Sequence, residues 1–299
     1  MTYTVTVIGA TGNIGHALSE RLLKNGVNVR AVGRGKDGLS PLVQLGAEAR
    51  IGSIDNMAFV SDALRGADAA FLMIPPHYGA PDMRADQRHL GASLIEGVKK
   101  SRIQRVVSLS SLGSELASGT GPILGLREFE NAVRGVPGLI SVILRPTYFM
   151  ENHLGSIGMI KQAGINGSAM RPDTRLPMVA TRDIAGVALE YLSVPTFTTN
   201  MMRDILGPRD YTMLEATAIL GAAIGRTSLP YVQFSEDDFK RGLESAGFSA
   251  DVARNFCELN NAFNMGWMQK SALRTPANTT VTTLEQFARE VFAPAFQKV

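Results

Sequence analysis

Cysteine is almost absent from this sequence, which holds only Cys257 among 299 residues. A single cysteine cannot build a disulfide framework within the chain, and it excludes zinc sites that need several thiolates. The four histidines share no spacing that is typical of metal ligands, so we expect no metal site. One unpaired cysteine also suits the reducing cytoplasm, where we expect the protein to reside.

Long apolar runs and concentrated charge are lacking as well. No segment approaches the roughly 18 apolar residues that a membrane-spanning helix needs, and the N-terminus has no signal-peptide pattern. The formal net charge is +3, and adjacent basic residues do not exceed pairs such as Lys99-Lys100. We therefore expect neither a nucleic-acid partner nor a membrane. A composition that is 45% hydrophobic with 30 glycines indicates a folded chain with a large core.

Short apolar runs alternate with helix-like patterns through the first half of the chain. The runs predict strands at 4–8, 27–32, 47–51, 69–74, 105–109 and 140–144. After the first run, Ile14, Leu18 and Leu22 recur at the spacing of one helix face, and Asp55 is predicted to cap the helix that follows the third run. Because no hairpin turns join the strands, we predict an α/β fold with a doubly wound parallel sheet of the Rossmann type.

The character of the sequence changes after Arg145-Pro146. Residues 151–177 are rich in glycine, methionine and proline, and the chain is mainly helical from 207 onward. Between these segments, a predicted helix at 182–192 and a predicted strand at 201–206 resume the alternation. We predict a dinucleotide-binding domain of residues 1–150, with 178–206 interleaved, and a smaller, mainly helical substrate-binding cap of 151–177 and 207–299.

A glycine-rich turn separates the first strand from the first helix. Gly9 permits a tight turn, Gly12 has no Cβ to block a pyrophosphate, and Gly15 lets the helix pack closely on the sheet. An anion would lie on the free N–H groups at the helix N-terminus. A structural turn is the alternative, but the position in a βαβ unit favours a dinucleotide site. Its predicted residues are Gly9, Thr11, Gly12, Asn13, Ile14 and Gly15.

The residues at the end of the second strand indicate which dinucleotide the site binds. Folds that bind NAD carry an acid about 20 residues after the motif, whereas this chain has Arg34 there, followed by Lys36. The guanidinium fork matches a 2′-phosphate, and the lysine adds a point charge. We therefore predict that NADP(H) is preferred over NAD(H). Solvated loop cations are the alternative, and Asp37 beside them argues against the preference.

Seven motifs extend across most of the chain: GATGNIG at 9–15, AVGRG at 31–35, FLMIPP at 71–76, RVVSLSSLG at 105–113, LRPTYFMEN at 144–152, TRDIA at 181–185 and ILGPRDYT at 205–212. Together they resemble the NmrA-like branch of the atypical short-chain dehydrogenase/reductases. The resemblance implies an NAD(P)-binding Rossmann domain with a cap over the nicotinamide. The cofactor contacts that it implies are Ser53, Ile54, Ile74, Pro75, Pro76, Pro146, Thr147, Tyr148 and Phe149.

The Tyr-x-x-x-Lys pair of the parent superfamily is missing. None of the six tyrosines has a lysine four residues later. Some members of the branch keep a lysine at the start of the fourth helix, and Leu126 stands at that position here, with Arg127 beside it. Alcohol–ketone interconversion, which needs an acid–base partner, is therefore not expected. An acceptor that stabilises its own reduced form, such as a quinone or a dye, demands less of a protein acid.

Several side chains are candidates for the substrate pocket. We consider His77, Tyr78 and Tyr148 for proton transfer, Ser110 for a cofactor contact, and Ser111, Met150, Asn152 and His153 for the substrate. Each has a structural alternative: a surface turn for His77 and Tyr78, and packing at the sheet edge for Tyr148. The methionines at 150, 159, 170, 178, 201 and 202 would form either an adaptable pocket or ordinary core.

Two functions remain open at this point. The first is an NADPH-dependent reductase of a quinone, azo dye or related aromatic acceptor, which works by direct hydride transfer without a Tyr/Lys pair. The second is a non-catalytic NADP(H)-sensing regulator that binds a protein partner, and the missing pair supports it. The apolar C-terminal helices also provide a face for a homodimer.

Overall fold

The computed structural model describes residues 3–194, 196–268 and 273–298, and within these ranges the predicted parallel sheet is confirmed. Its strand order is β3-β2-β1-β4-β5-β6-β9, so β3 and β9 form the edges. All neighbouring strands run parallel. The strands of the chain are β1 Thr4–Ile8, β2 Asn28–Gly33, β3 Glu48–Ile51, β4 Ala69–Leu72, β5 Arg105–Leu109, β6 Ile140–Pro146, β7 Asn166–Ser168, β8 Arg175–Leu176, β9 Met201–Ile205, β10 Tyr211–Thr212 and β11 Tyr231–Gln233.

Helices cover both faces of this sheet. The α-helices are α1 Asn13–Lys24, α2 Lys36–Gln44, α3 Met57–Leu64, α4 Met83–Ser101, α5 Ile123–Arg134, α6 Ile157–Ala163, α7 Thr181–Leu192, α8 Met213–Ala223, α9 Glu236–Ser245, α10 Ala250–Asn264, α11 Leu284–Phe287 and α12 Ala293–Lys298. Helices α1, α2 and α7 share one core with the sheet, and α3, α4 and α5 share another on the opposite face. Burial on both faces explains why the central strand β4 is a continuous apolar run.

One local prediction needs correction, and one helix was not foreseen. Helix α2 forms between β2 and β3 although it contains Gly38 and Pro41, which disfavour helix. It is held because Leu39 and Leu42 are fully buried against the sheet. The cap of α3 is Asn56 and not Asp55, since the Asn56 side chain accepts hydrogen bonds from two first-turn amides.

A further core is formed by the segments that follow β6. A short 3-10 helix at Met150–Ser156 precedes α6, and residues from 150–180, 211–229 and 262–292 pack together. Three of the six methionines considered, Met150, Met170 and Met178, lie in this core, whereas half of the surface of Met202 is exposed. The bounds proposed for the cap stay a prediction, and residues 1–2, 195, 269–272 and 299 of the two proposed domains lie outside the described ranges.

Small sheets and a π-helical turn complete this part of the molecule. Strand β10 pairs antiparallel with β8, and β11 pairs parallel with β7. The π-helical turn at Ala288–Phe292 joins α11 to α12. Among the residues that the structure describes, no helix is long and apolar enough to cross a membrane.

Candidate functional site

The glycine-rich turn lies at the point where the strand order reverses. Strand β1 has β2 on one side and β4 on the other, so the loops after β1 and β4 leave the sheet in opposite directions. Ligands of doubly wound sheets bind in the crevice that this divergence opens at the carboxyl ends of the strands. The predicted cofactor loop therefore lies where such a fold accommodates a dinucleotide.

The geometry of the turn explains its three glycines. Gly9 has a φ of +75°, which favours glycine, and its carbonyl accepts a hydrogen bond of 3.0 Å from the amide of Gly12. A Cβ on Gly15 would lie 2.9 Å from the Cα of Ala10, so only glycine fits there without a shift. A Cβ on Gly12 would instead meet its nearest neighbour, the Gly9 carbonyl oxygen, at an ordinary 3.5 Å. Space therefore remains open beside Gly12.

No side chain of the described residues caps the N-terminus of α1. Gly12 is the capping residue, and the first turn of the helix holds no acidic residue. The first amides of the helix are consequently free to bind an anion, and the helix dipole favours one. Asn13 and Ile14 contribute the first two helical positions.

The predicted phosphate-binding cations lie beside this turn. The Thr11 methyl group would be 2.9 Å from a Cβ on Gly33 and 3.0 Å from one on Gly38, which brings the β2–α2 loop against the turn. Arg34 on that loop and Lys36 at the start of α2 are exposed, and neither forms an ion pair with any residue that the structure describes. Their charges are therefore available at the rim of the crevice.

The predicted cofactor residues that follow β3 and β4 also lie at the carboxyl ends of the strands. Ser53 and Ile54 follow β3, where the Gly52 amide bonds the carbonyl of Gly33 at 3.0 Å. Ile74, Pro75 and Pro76 follow β4. Ile54 and Ile74 are buried in the sheet core, Ser53 and Pro75 are half-buried, and Pro76 is exposed. The structure thus aligns all of these positions with the turn, and their contact with a cofactor stays a prediction.

The segments that follow β5 and β6 run side by side. The amide of Ser110 bonds the Leu144 carbonyl at 2.8 Å, and that of Leu112 bonds the Pro146 carbonyl at 2.9 Å. The segment at 177–179 joins them on the far side, where the Thr147 hydroxyl bonds the Pro177 carbonyl. The Val179 amide also bonds the Tyr148 carbonyl at 2.9 Å. These three segments form one continuous wall.

A small apolar cavity opens against this wall. Its volume is about 10 Å³, about the space that one water molecule occupies. The lining residues are Leu112, Thr147, Tyr148, Leu176, Pro177, Phe263 and Met268. Sequence reasoning found Thr147 and Tyr148 and missed the others, because an apolar residue in a cap segment carries no signal that distinguishes a cavity wall from a core.

Tyr148 is the polar aromatic residue of this cavity. Burial raises the pKa of its hydroxyl, so the group is protonated at neutral pH and can donate. Its ring lies edge-on to Phe263 at 6.0 Å and tilted to His153 at 5.6 Å. Ser111 is half-buried at the adjoining segment, and its hydroxyl donates to the Leu112 carbonyl.

The other predicted substrate residues have different surroundings. Met150 is fully buried in the cap core, and Asn152 is exposed. His153 is also buried, with Nε2 3.5 Å from the Met178 sulfur, and burial lowers its pKa to about 4. It is therefore neutral at physiological pH. Of the four residues, Ser111 and His153 adjoin the cavity lining through Leu112 and Tyr148.

His77 and Tyr78 lie in another environment. His77 is exposed, and its Nδ1 is 3.1 Å from Asp86. The Tyr78 ring stacks on Phe248 at 4.5 Å and lies 6.2 Å from Phe256, and burial raises the pKa of its hydroxyl. Neither residue is among the described residues that line the cavity beside Tyr148. Their proposed part in proton transfer stays untested.

A buried ion pair behind the wall was not foreseen from the sequence. Glu130 of α5 is 2% exposed and pairs with Arg145 of β6. Burial alone would raise the pKa of Glu130, but hydrogen bonds and charge from Arg145 and bonds from two serines outweigh it and hold the pKa below its ordinary value. The serines are Ser110 and Ser114, and each donates at 2.9 Å. No sequence spacing links these residues, because the sheet brings them together.

Metal ligation finds no support at this site. Within 3–194, 196–268 and 273–298, no three histidine, cysteine, aspartate or glutamate side chains are grouped as a metal ion requires. Cys257 is buried in α10, and burial raises the pKa of its thiol.

Comparison with protein families gives one match over nearly the whole chain. The NmrA-like family matches residues 1–288. Two sequence relatives are the uncharacterised oxidoreductase YesF of Bacillus subtilis and a (4-alkanoyl-5-oxo-2,5-dihydrofuran-3-yl)methyl phosphate reductase of Streptomyces griseus. The first is 28% identical and covers 88% of this chain and 85% of the relative. The second is 32% identical and covers 85% of each.

Solved structures share the fold at lower identity. Triphenylmethane reductase of Citrobacter with NADP(H) has a TM-score of 0.79 at 18% identity and covers 96% of this chain and 99% of that one. Escherichia coli quinone oxidoreductase QOR2 with NADPH has a TM-score of 0.74 at 21% identity, with the same coverage. NmrA, a negative transcriptional regulator crystallised with NADP, has a TM-score of 0.72 at 18% identity. The match covers 99% of this chain and 97% of that one.

Proposed function

We propose, from the premise that this chain belongs to the NmrA-like family, that it is an NADPH-dependent reductase of a conjugated, aromatic or quinoid small molecule. The observation that carries the proposal is that two features lie at the carboxyl ends of the strands of the main sheet. A glycine turn with an uncapped helix stands at the strand-order reversal, and an apolar cavity with Tyr148 stands at the ends of β5 and β6.

The cofactor would be held by residues already in place. The open space at Gly12 and the free amides of α1 suit a pyrophosphate, and Arg34 with Lys36 suits a 2′-phosphate. The residues that follow β3 and β4 would contact the adenosine and ribose portions. When bound, the dihydronicotinamide supplies the hydride. Related structures that contain NADP(H) support this cofactor.

The acceptor class follows from the side chains at this wall and not from the volume of the cavity, which is about that of one water molecule. Its lining is largely apolar and aromatic, and the Tyr148 hydroxyl, protonated at neutral pH, can donate a hydrogen bond to an oxygen or nitrogen of the acceptor. Leu126 stands where a lysine would otherwise serve, and it packs against the core between α4 and α5. An acceptor that delocalises charge, as quinones and dyes do, therefore suits this site. Relatives named for a quinone and for triphenylmethane support the same class.

NADPH oxidation with a panel of quinones, azo dyes and enones tests the proposal. We expect turnover with at least one acceptor, and Tyr148→Phe is expected to lower kcat about tenfold to a hundredfold because the donor is removed. Tyr78→Phe and His77→Gln are the matched variants, and both should leave kcat within about twofold. If kcat fell only in Tyr78→Phe and His77→Gln, the proton donor would lie in the loop after β4 instead.

The regulator hypothesis is the second candidate. The cavity has room for about one water, and the Tyr/Lys pair is missing, which favours a protein that binds NADP(H) without turning over a substrate. Tight NADPH binding with no oxidation by any acceptor in the panel would support it. A cytoplasmic location and a homodimer also stay predictions, and analytical ultracentrifugation would test the latter.

A further inference from the structure

One buried carboxylate joins both halves of the wall beside the cavity. Glu130 accepts hydrogen bonds from Ser110 and Ser114 at 2.9 Å each, and from Arg145 Nε at 3.0 Å. A second bond from the Arg145 guanidinium reaches its other oxygen. The serines belong to the loop 110–116 after β5, and the arginine belongs to β6. Two donors therefore come from the wall segment after β5, and two come from the end of β6, which leads into the neighbouring wall segment.

Both segments reach the cavity within two residues of these bonds. Leu112 follows Ser110 by two positions, and Thr147 follows Arg145 by two. The bonds to the carboxylate therefore hold both segments close to the cavity lining. Hydride transfer needs reacting atoms aligned within a fraction of an ångström, so the spacing of these two segments matters to the rate.

The same helix holds the far end of the loop. Arg127 of α5 donates to the carbonyls of Ser114 and Glu115, at 3.1 Å each. Between the anchors, Gly113 has a φ of +90°, and a Cβ there would be 2.6 Å from the Met268 sulfur, so the loop lies tightly beneath the cap. Two side chains of α5, Glu130 and Arg127, thus hold the loop 110–116 at both ends by hydrogen bonds.

A stability role alone explains these residues poorly. Removing two charges from water is costly, and buried ion pairs can often be replaced by apolar residues of similar volume without loss of stability. What apolar residues do not reproduce is direction: a carboxylate with four donors fixes each donor in position, whereas packed methyl groups allow slippage. Arg145 also faces Glu115 at 3.8 Å and lies opposite Asp204 of β9 in register.

We propose that Glu130 and Arg145 are positioning residues for the reductase, which keep the loop 110–116 in register with the segment 145–148 so that acceptor and nicotinamide meet in a reactive geometry. The inference rests on the proposed function for its kinetic consequence. Its structural part, a loop whose order depends on this pair, belongs to the protein without cofactor.

The test replaces the pair by apolar residues, Glu130→Leu with Arg145→Met. We expect the double variant to fold, with backbone amides of 110–116 exchanging hydrogen about tenfold faster in the cofactor-free protein. With NADPH and a quinone, kcat should fall about tenfold or more, and the NADPH dissociation constant should change less than about threefold. A matched control removes the pair that joins α4 to α5 away from the loop, Arg84→Met with Glu128→Leu, and should alter neither readout.

A stable double variant with unchanged kcat, or with unchanged exchange in the loop, would overturn the proposal. If the double variant does not fold, Ser114→Ala decides, because it removes one donor and leaves the ion pair intact. It should raise exchange in the loop and lower kcat about threefold, and no change in either one refutes the inference. If the wild-type protein turns over no acceptor, the proposed function fails, and the exchange measurement alone confirms or rejects the ordering role.

Discussion

Arg34 and His153 show how far a single residue can be understood before its neighbours are known. Arg34 follows a strand that the sequence predicts, next to a motif with a known geometry, so its position at the crevice could be foreseen. His153 could not be assigned an environment in that way. Its neutral state follows from burial beside Tyr148 and Met178, a contact that no local pattern in the sequence indicates.

The Arg34 prediction concerns cofactor selectivity. Arg34→Ala should weaken NADPH binding about tenfold to a hundredfold, because it removes charge-assisted hydrogen bonds to the 2′-phosphate, and it should leave NADH binding nearly unchanged. Calorimetric titration of both cofactors would measure this. Lys24→Ala, exposed at the opposite end of α1, is the control. Equal affinity of the wild-type protein for NADPH and NADH would contradict the preference.

The His153 prediction concerns stability against pH. The pKa of its imidazole is about 4 in the folded protein and has the ordinary value of 6.5 in the unfolded chain, so the unfolded state binds more protons between these values. Stability should therefore fall as the pH is lowered from 6.5 to 4, by up to about 3 kcal/mol for this residue. Urea unfolding across that range should show a shallower fall for His153→Phe than for wild type. The same change at the exposed His89 serves as control, and parallel curves would contradict the assignment.

Helices and strands could be predicted from the sequence where a single pattern, such as an apolar run, was strong. Strands buried on both faces appear as unbroken apolar runs, and the sequence predicts all seven strands of the main sheet to within about two residues. Helix α2 was missed because Gly38 and Pro41 oppose it locally, and two buried leucines stabilise it through tertiary packing. The cavity walls Phe263 and Met268 lie more than a hundred residues from Tyr148 in sequence, and no local pattern could bring them together.

The β1–α1 turn makes two different predictions for its glycines. Gly15→Ala should destabilise the fold by about 1–3 kcal/mol, since a Cβ there collides with the backbone of the same turn. Gly12→Ala should leave stability within about 0.5 kcal/mol and weaken NADPH binding at least about tenfold, because its Cβ meets only space that the pyrophosphate would occupy. Gly35→Ala, with no atom within 4 Å of its Cβ, is the control. Wild-type binding by Gly12→Ala would place the pyrophosphate elsewhere.

At the scale of the whole molecule, α10 is attached to the sheet layer through the segment that leads from β4 into α4. The Met83 amide donates to Asp251 of α10 at 2.9 Å, across 168 residues of sequence, and the Ser249 amide donates to the Tyr78 carbonyl at 2.9 Å. This junction explains why Tyr78 stacks on cap aromatics. No pattern in the sequence indicates this partner helix, and the part of Tyr78 in proton transfer stays a prediction.

Asp251→Ala tests this junction. Met83 is buried, so the loss of its acceptor should lower the free energy of unfolding by about 1–3 kcal/mol and speed hydrogen exchange at that amide. Chemical unfolding with exchange mass spectrometry measures both quantities. Asp237→Ala, exposed in α9, should change neither. An unaltered exchange rate at Met83 would show that the cap is held by other contacts.

The two edge strands limit how copies of this protein can associate. Strand β3 carries Glu48 and Arg50, which are paired with each other at 2.6 Å, and β9 carries Arg203 and Asp204 in succession. Charged side chains on a strand at the border of a sheet oppose the addition of a further strand from another chain, which is the route to amyloid-like growth. A dimer of this protein would therefore form through its helices, and the sheet would not continue into a second copy of the chain.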